Sequence, residues 1–101
     1  MKCKITVLRK MFNQDFSKEF CQEPVTPCPV FTESQEFIYD HSGDGNKPAG
    51  FCEHAWHDIY PTVMTLAHNG TFLGWMKEDG VHIVCCTDGI RPVVFKVERA
   101  A

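Results

Sequence analysis

Hydrophobic and polar positions alternate at the start of this chain with a period of two. From Lys2 to Met11, Cys3, Ile5 and Val7 fall on one side, with Lys2, Lys4 and Thr6 on the other. That predicts a half-buried strand. Asn13-Gln14-Asp15 interrupts it, and Asp15 to Cys21 reads as a short helix with Asn13 or Asp15 as N-cap. Pro24, Pro27 and Pro29 then forbid regular structure, leaving a stiff extended loop with Cys21 at one end and Cys28 near the other. Gln35 to Tyr39 predicts a second strand, with Phe37 and Tyr39 opposite Ile38. His41 to Gly50, rich in glycine and aspartate, is a loop.

The longest pattern has a helical period. At about 100° per residue, Phe51, Cys52, Ala55, Trp56, Ile59, Val63 and Leu66 share one broad face. Glu53, His54, His57 and His68 lie opposite. Pro61 predicts a kink or split near Tyr60, and Asn69-Gly70 a left-handed stop. Thr71 to Asp79 reads as a loop packed on the core, in which Trp75 lines a pocket or caps the core. Val81 to Thr87 and Arg91 to Val97 are β-branched runs around Asp88-Gly89, a hairpin signal. A two-residue loop there sets Cys86 opposite Arg91, on the face of Val93, Phe95 and Val97. A three-residue loop puts Cys85 on that face instead. The expected fold is α+β: a single domain over residues 1–101, an antiparallel sheet of about four strands with one main helix packed on a face.

Composition narrows the function classes. With 101 residues, 44% hydrophobic and 23% charged, the chain can build one globular core and is neither disordered nor fibrous. Its 13 acids against 10 bases give a net charge of -3, which argues against nucleic-acid binding on a generally positive surface. Lys2, Lys4, Arg9 and Lys10 leave only Ile5 to Leu8 uninterrupted, short of the apolar stretch of about 7–15 residues in a signal peptide. No run approaches the roughly 18 apolar residues of a membrane span. The expectation is a cytoplasmic protein with no membrane or nucleic-acid partner, whose thiols stay reduced.

Compartment decides how the six cysteines are read. Cys3, Cys21, Cys28, Cys52, Cys85 and Cys86 include no C-x-x-C spacing, so spacing alone is a weak metal signal. Position adds weight: Cys21 and Cys28 bracket the stiff loop, Cys52 starts the helix on its apolar face, and Cys85 and Cys86 face opposite sides of a strand. The leading expectation is a zinc or iron–sulfur site held by the thiolates of Cys21, Cys28, Cys52 and Cys86, with Cys85 as substitute, because both metals favour sulfur. The second is a thiol-dependent enzyme or redox protein. There Cys86 is the nucleophile, Arg91 favours its thiolate, Asp88 supplies a carboxylate beside it, and Cys52 or Cys28 resolves the product. The third is a structural or partner-binding module whose cysteines are small buried hydrophobes. His54 and His57 share a helix face, with Glu53 or Asp58 as a further ligand, but read better as solvated surface. His41, His68 and His82 are isolated. Neither a phosphate-binding glycine loop nor a Ser-His-acid set is evident.

The segments Cys28-Pro29-Val30-Phe31, Gln35-Glu36-Phe37, Gly50-Phe51-Cys52, Ala55-Trp56, Asp58-Ile59-Tyr60 and Cys85-Cys86-Thr87-Asp88-Gly89-Ile90-Arg91-Pro92-Val93 carry a resemblance. Together they resemble an uncharacterised family of small cysteine-rich proteins, common in anaerobic bacteria and archaea, of unknown function. The likeness runs from Lys2 to Glu98, and the Cys-Cys-Thr-Asp-Gly segment is specific to that family. It implies that the cysteines at Cys21, Cys28, Cys52, Cys85 and Cys86 recur, which favours a metal or redox role over packing. It implies no activity, cofactor or substrate. Cys3 has no counterpart there. The chain departs from the family at Ser34, where glycine is expected, and at Pro61; neither touches a cysteine.

Overall fold

A computed structural model describes residues 1–72, 74 and 76–100. The elements run β1 (Lys2–Lys10), α1 (Gln14–Phe20), β2 (Glu36–Asp40), α2 (Glu53–Ala67), β3 (Val81–Cys85) and β4 (Val93–Ala100). The strands form one four-stranded antiparallel sheet in the order β2-β1-β4-β3. This is the α+β arrangement expected, with α2 as the main helix against the sheet. Among the described residues, no helix is long and apolar enough to cross a membrane.

Alternation decides which face α2 covers. Cys3, Ile5 and Val7 of β1, Phe37 and Tyr39 of β2, and Val93, Phe95 and Val97 of β4 are all buried. The register places Cys3 beside Tyr39 and Ile5 beside both Phe37 and Val97, so these side chains form one apolar floor. Onto it α2 sets Ala55, Trp56, Ile59, Val63 and Leu66, all buried. Each large aliphatic among them contributes about 1.5–3 kcal/mol by leaving water. Phe31 completes the core, its ring meeting those of Phe37, Phe51 and Phe95 at 5.9, 5.0 and 5.1 Å. The far sheet face is mixed: Lys4 reaches Glu36 at 3.5 Å and Glu98 at 3.6 Å, while Ile38 and Ile83 are exposed on it.

Two expectations meet a different outcome, while both helix-end readings hold in position. Pro61 does not split α2, which runs as one helix of 15 residues. The donor that proline removes would have bonded the carbonyl of His57, and both residues lie on the exposed side of the helix, where solvent can replace that bond, while Ile59, Val63 and Leu66 hold the buried side. Asn13 is the N-cap residue of α1, as expected, though its side chain makes no capping bond; its Nδ2 donates to the Gly89 carbonyl at 2.7 Å. The left-handed stop expected at Asn69-Gly70 is present, with Asn69 as the left-handed residue (φ 63). Gly70 is required for space, because a Cβ there would sit 2.6 Å from Thr65 Cγ2.

The second difference concerns the hairpin. Cys85 pairs with Val94, and the Cys86 N–H bonds the Val93 carbonyl at 3.1 Å, so Arg91 does not stand opposite Cys86. Asp88-Gly89 cannot be a two-residue type I′ turn, which needs positive φ at both central residues; neither has it. Instead Asp88 Oδ1 accepts the N–H groups of Ile90 and Arg91 at 2.9 and 3.0 Å, closing a longer loop around its own side chain. The register is displaced by two residues, which leaves every side chain on its expected face. Leu73 and Trp75, and with Trp75 its proposed pocket role, lie outside the described residues.

Candidate functional site

Three separate segments deliver a cysteine to one cavity of about 400 Å³. Cys28 comes from the proline-stiffened loop. Upstream, that loop is held by Ser17, the buried residue of α1, whose Oγ accepts the Val25 N–H at 3.2 Å. Downstream it is fixed by Phe31 in the aromatic core and by Ser34, whose N–H donates to the Val7 carbonyl at 2.8 Å. Cys52 is the N-cap residue of α2; its carbonyl accepts the Trp56 N–H at 2.9 Å while its side chain makes no capping bond. Cys86 follows β3 directly and points to the core side, 9% exposed. Its Sγ accepts the Val93 N–H at 3.3 Å.

The polar wall is built by the hairpin loop and α2. Asp58 Oδ2 accepts both the N–H and the hydroxyl of Thr87, at 2.8 and 3.0 Å. This ties the residue after Cys86 to the helix. Asp88 turns both oxygens inward on its own loop, since Oδ2 also receives Arg91 Nε at 3.2 Å. Burial alone would push the Asp88 carboxyl up. The backbone N–H groups of Arg91 and Ile90, with the Arg91 guanidinium, outweigh it and hold the group below the ordinary carboxylate range. Asp88 is therefore a turn-closing residue at the cavity rim. Val30, Phe31, Ala55 and Val93 supply an apolar wall, and His54 stands at the edge.

The remaining cysteines lie elsewhere. Cys85 is exposed on the far sheet face, and Cys21 ends α1, donating its N–H to the Ser17 carbonyl at 3.1 Å; neither lines the cavity. Of the thiolate set read from the sequence, Cys28, Cys52 and Cys86 line the same cavity, while Cys21 and Cys85 do not. Among the described residues, no group of three or more His, Cys, Asp or Glu stands ready to hold a metal ion. Cys3 is a core residue with its Sγ 3.8 Å from the Val63 carbonyl, and burial pushes its thiol up. Comparison with known protein families, curated proteins and solved structures finds no match for this chain.

Sequence reasoning missed two placements. Asp58, considered only as a partner for His54 and His57, belongs to the cavity; its spacing of three from Ala55 along the helix was the available signal. His57 is exposed and outside the cavity, whereas His54 is at its edge. His41 and His68, isolated in sequence, meet edge to face with ring centroids 4.4 Å apart, a pairing no local pattern signals.

Proposed function

We propose that this chain is a thiol-dependent redox protein in which Cys86 is the reacting sulfur and Cys52 or Cys28 the resolving one. The observation that carries the reading is the convergence of these three thiols on a single cavity. Its volume falls in the range of small-molecule sites, larger than one ion needs. The Val93 N–H aimed at Cys86 Sγ supports negative charge on that sulfur as a bond forms or breaks.

The step is thiol–disulfide exchange with a small disulfide. Cys86 attacks one substrate sulfur, the substrate S–S bond breaks, and the first thiol leaves with a proton. The second cavity cysteine then attacks the Cys86 sulfur and releases the second thiol. Two cysteine thiols and one disulfide thus become one protein disulfide and two small thiols. A dithiol reductant returns the protein to its starting state.

A second reading, zinc or iron held by the same thiolates, is supported by the same Val93 N–H, since sulfur bound to metal also takes backbone donors. It requires the three thiols to draw together around the ion. One experiment separates the two: protein purified without oxygen is analysed for metal, then treated with a small neutral disulfide and mapped by peptide mass. Metal-free protein in which Cys86 becomes disulfide-bonded to the probe or to Cys52 or Cys28, in a fast phase lost in Cys86→Ser and kept in Cys85→Ser, supports the redox reading. Stoichiometric metal that disappears from Cys52→Ser supports the metal reading instead. Modification confined to exposed Cys85 sinks the first.

A further inference from the structure

The charged groups lining the cavity are not equally occupied. Asp88 has both carboxylate oxygens engaged within its own loop. Asp58 uses one oxygen, Oδ2, for both bonds to Thr87, so Oδ1 has no partner among the described residues. Arg91 uses Nε alone, leaving both terminal Nη groups without a partner among them. Both residues line the same cavity, together with three cysteines and an apolar wall.

We infer that the disulfide substrate is a small zwitterion of the α-amino-acid class, its carboxylate met by Arg91 and its ammonium by Asp58. The inference rests on the redox reading above and adds the substrate to it. Charge decides among the alternatives. A dianion would meet Arg91 but also two carboxylates, Asp58 and Asp88. A dication would find Asp58 but also the guanidinium. A neutral disulfide would leave both free groups unpaired as it displaced their water. A zwitterion alone satisfies both ends, with the apolar wall of Val30 and Val93 left for its methylenes. Arg91 thereby takes a different role from the one its sequence position suggested: it recognises substrate rather than standing beside the attacking thiol.

The test uses the reduced full-length protein and four dialkyl disulfides differing in charge: cystine, cystamine, 3,3′-dithiodipropionate and bis(2-hydroxyethyl) disulfide. Each exchange rate at Cys86 is divided by that of the same chain unfolded in urea, which removes differences in intrinsic sulfur reactivity. The expected result is a normalised rate for cystine at least about tenfold above the neutral disulfide, as one charge-assisted contact implies. Asp58→Asn should slow cystine and cystamine more than dithiodipropionate. Arg91→Gln should slow cystine and dithiodipropionate more than cystamine. Damage to the fold would slow all four alike, so the crossed pattern is the signature. Equal normalised rates for the four disulfides overturn the zwitterion inference while leaving Cys86 chemistry standing. Absence of Cys86 exchange above the unfolded chain, with any disulfide, overturns both.

Discussion

Replacing Arg99 by alanine tests how the C-terminal end of α2 is closed. A helix leaves its last carbonyls short of internal partners; here the Asn69 N–H reaches the Leu66 carbonyl at 3.1 Å and a strand residue from across the fold adds further donors. Arg99 Nη1 donates to the Leu66 carbonyl at 3.2 Å and to the Gly70 carbonyl at 2.6 Å, while Nη2 meets Asp79 at 3.1 Å. The side chain is only 15% exposed, so water screens it weakly. Hydrogen bonds from a charged donor are each worth about 1.5–3 kcal/mol, and a cation at a helix C-terminus adds about 0.3–1 kcal/mol. The freed carbonyls regain part of that from water, so Arg99→Ala should lose about 2–4 kcal/mol in total. For a chain of this size the thermal midpoint should fall by roughly 8–16 °C. Urea unfolding followed by circular dichroism measures the loss directly. Arg99→Lys should recover less than half, because one ammonium cannot span two carbonyls and a carboxylate as the guanidinium fork does. An Arg99→Ala midpoint within a degree or two of the parent, with an unchanged denaturant slope, would refute the capping argument.

Three further outcomes follow from the same geometry. Pro61→Ala restores a helix-interior donor and removes a ring facing the preceding turn, so it should stabilise by about 1–3 kcal/mol, read as a raised urea midpoint; a lowered midpoint would mean the ring is packed rather than merely tolerated. Ser34 holds φ 72, in the left-handed region, while its N–H anchors the cysteine loop to Val7. Ser34→Gly should therefore gain about 0.5–1 kcal/mol after the added chain entropy is subtracted, measurable in the same assay. Asp88 titrates below its unfolded value, so its contribution is present above about pH 4 and is lost as pH falls through the depressed folded value. Asp88→Asn should flatten that acid limb of the stability–pH curve; an identical limb in the variant would show that the loop does not depend on the carboxylate.

The parts of the fold legible in the sequence are those where burial repeats with the element's own period. Cys3, Ile5 and Val7 alternate and are buried, as are Phe37 and Tyr39. Ala55, Trp56, Ile59, Val63 and Leu66 recur at helical spacing and are likewise buried. Pro61 misleads because intrinsic propensity is a local quantity. The buried stripe on the opposite side of α2 outweighs it, and the lost donor falls where water can answer. Arg99 was illegible for a different reason: its partners Leu66 and Gly70 are 33 and 29 positions away, and nothing in either segment names the other.

The candidate site shows how much parity alone can carry. The hairpin takes neither of the two pairings its sequence suggests, because a turn signal such as Asp88-Gly89 does not say whether the aspartate side chain will take the loop's N–H groups for itself. Yet the displacement is two residues, an even number, so Cys86 stays on the face of Val93, Phe95 and Val97 and Cys85 stays opposite. Facing survived and neighbourhood did not. Cys86 enters the cavity by alternation, whereas the role of Arg91 depended on the exact partner and changed with it. The same division explains the loop cysteines. Proline content predicts that Cys28 is held stiffly, but its entry into the cavity depends on Ser17 holding one side of the loop and Phe31 the other, contacts with the body of the fold. Cys21, upstream of both pins, remains outside. Residues whose direction follows from a periodic element can thus be assigned to a site early. Residues placed by tertiary pins, here Cys28, Asp58 and Arg91, become functional candidates only once the fold has brought them to the same cavity.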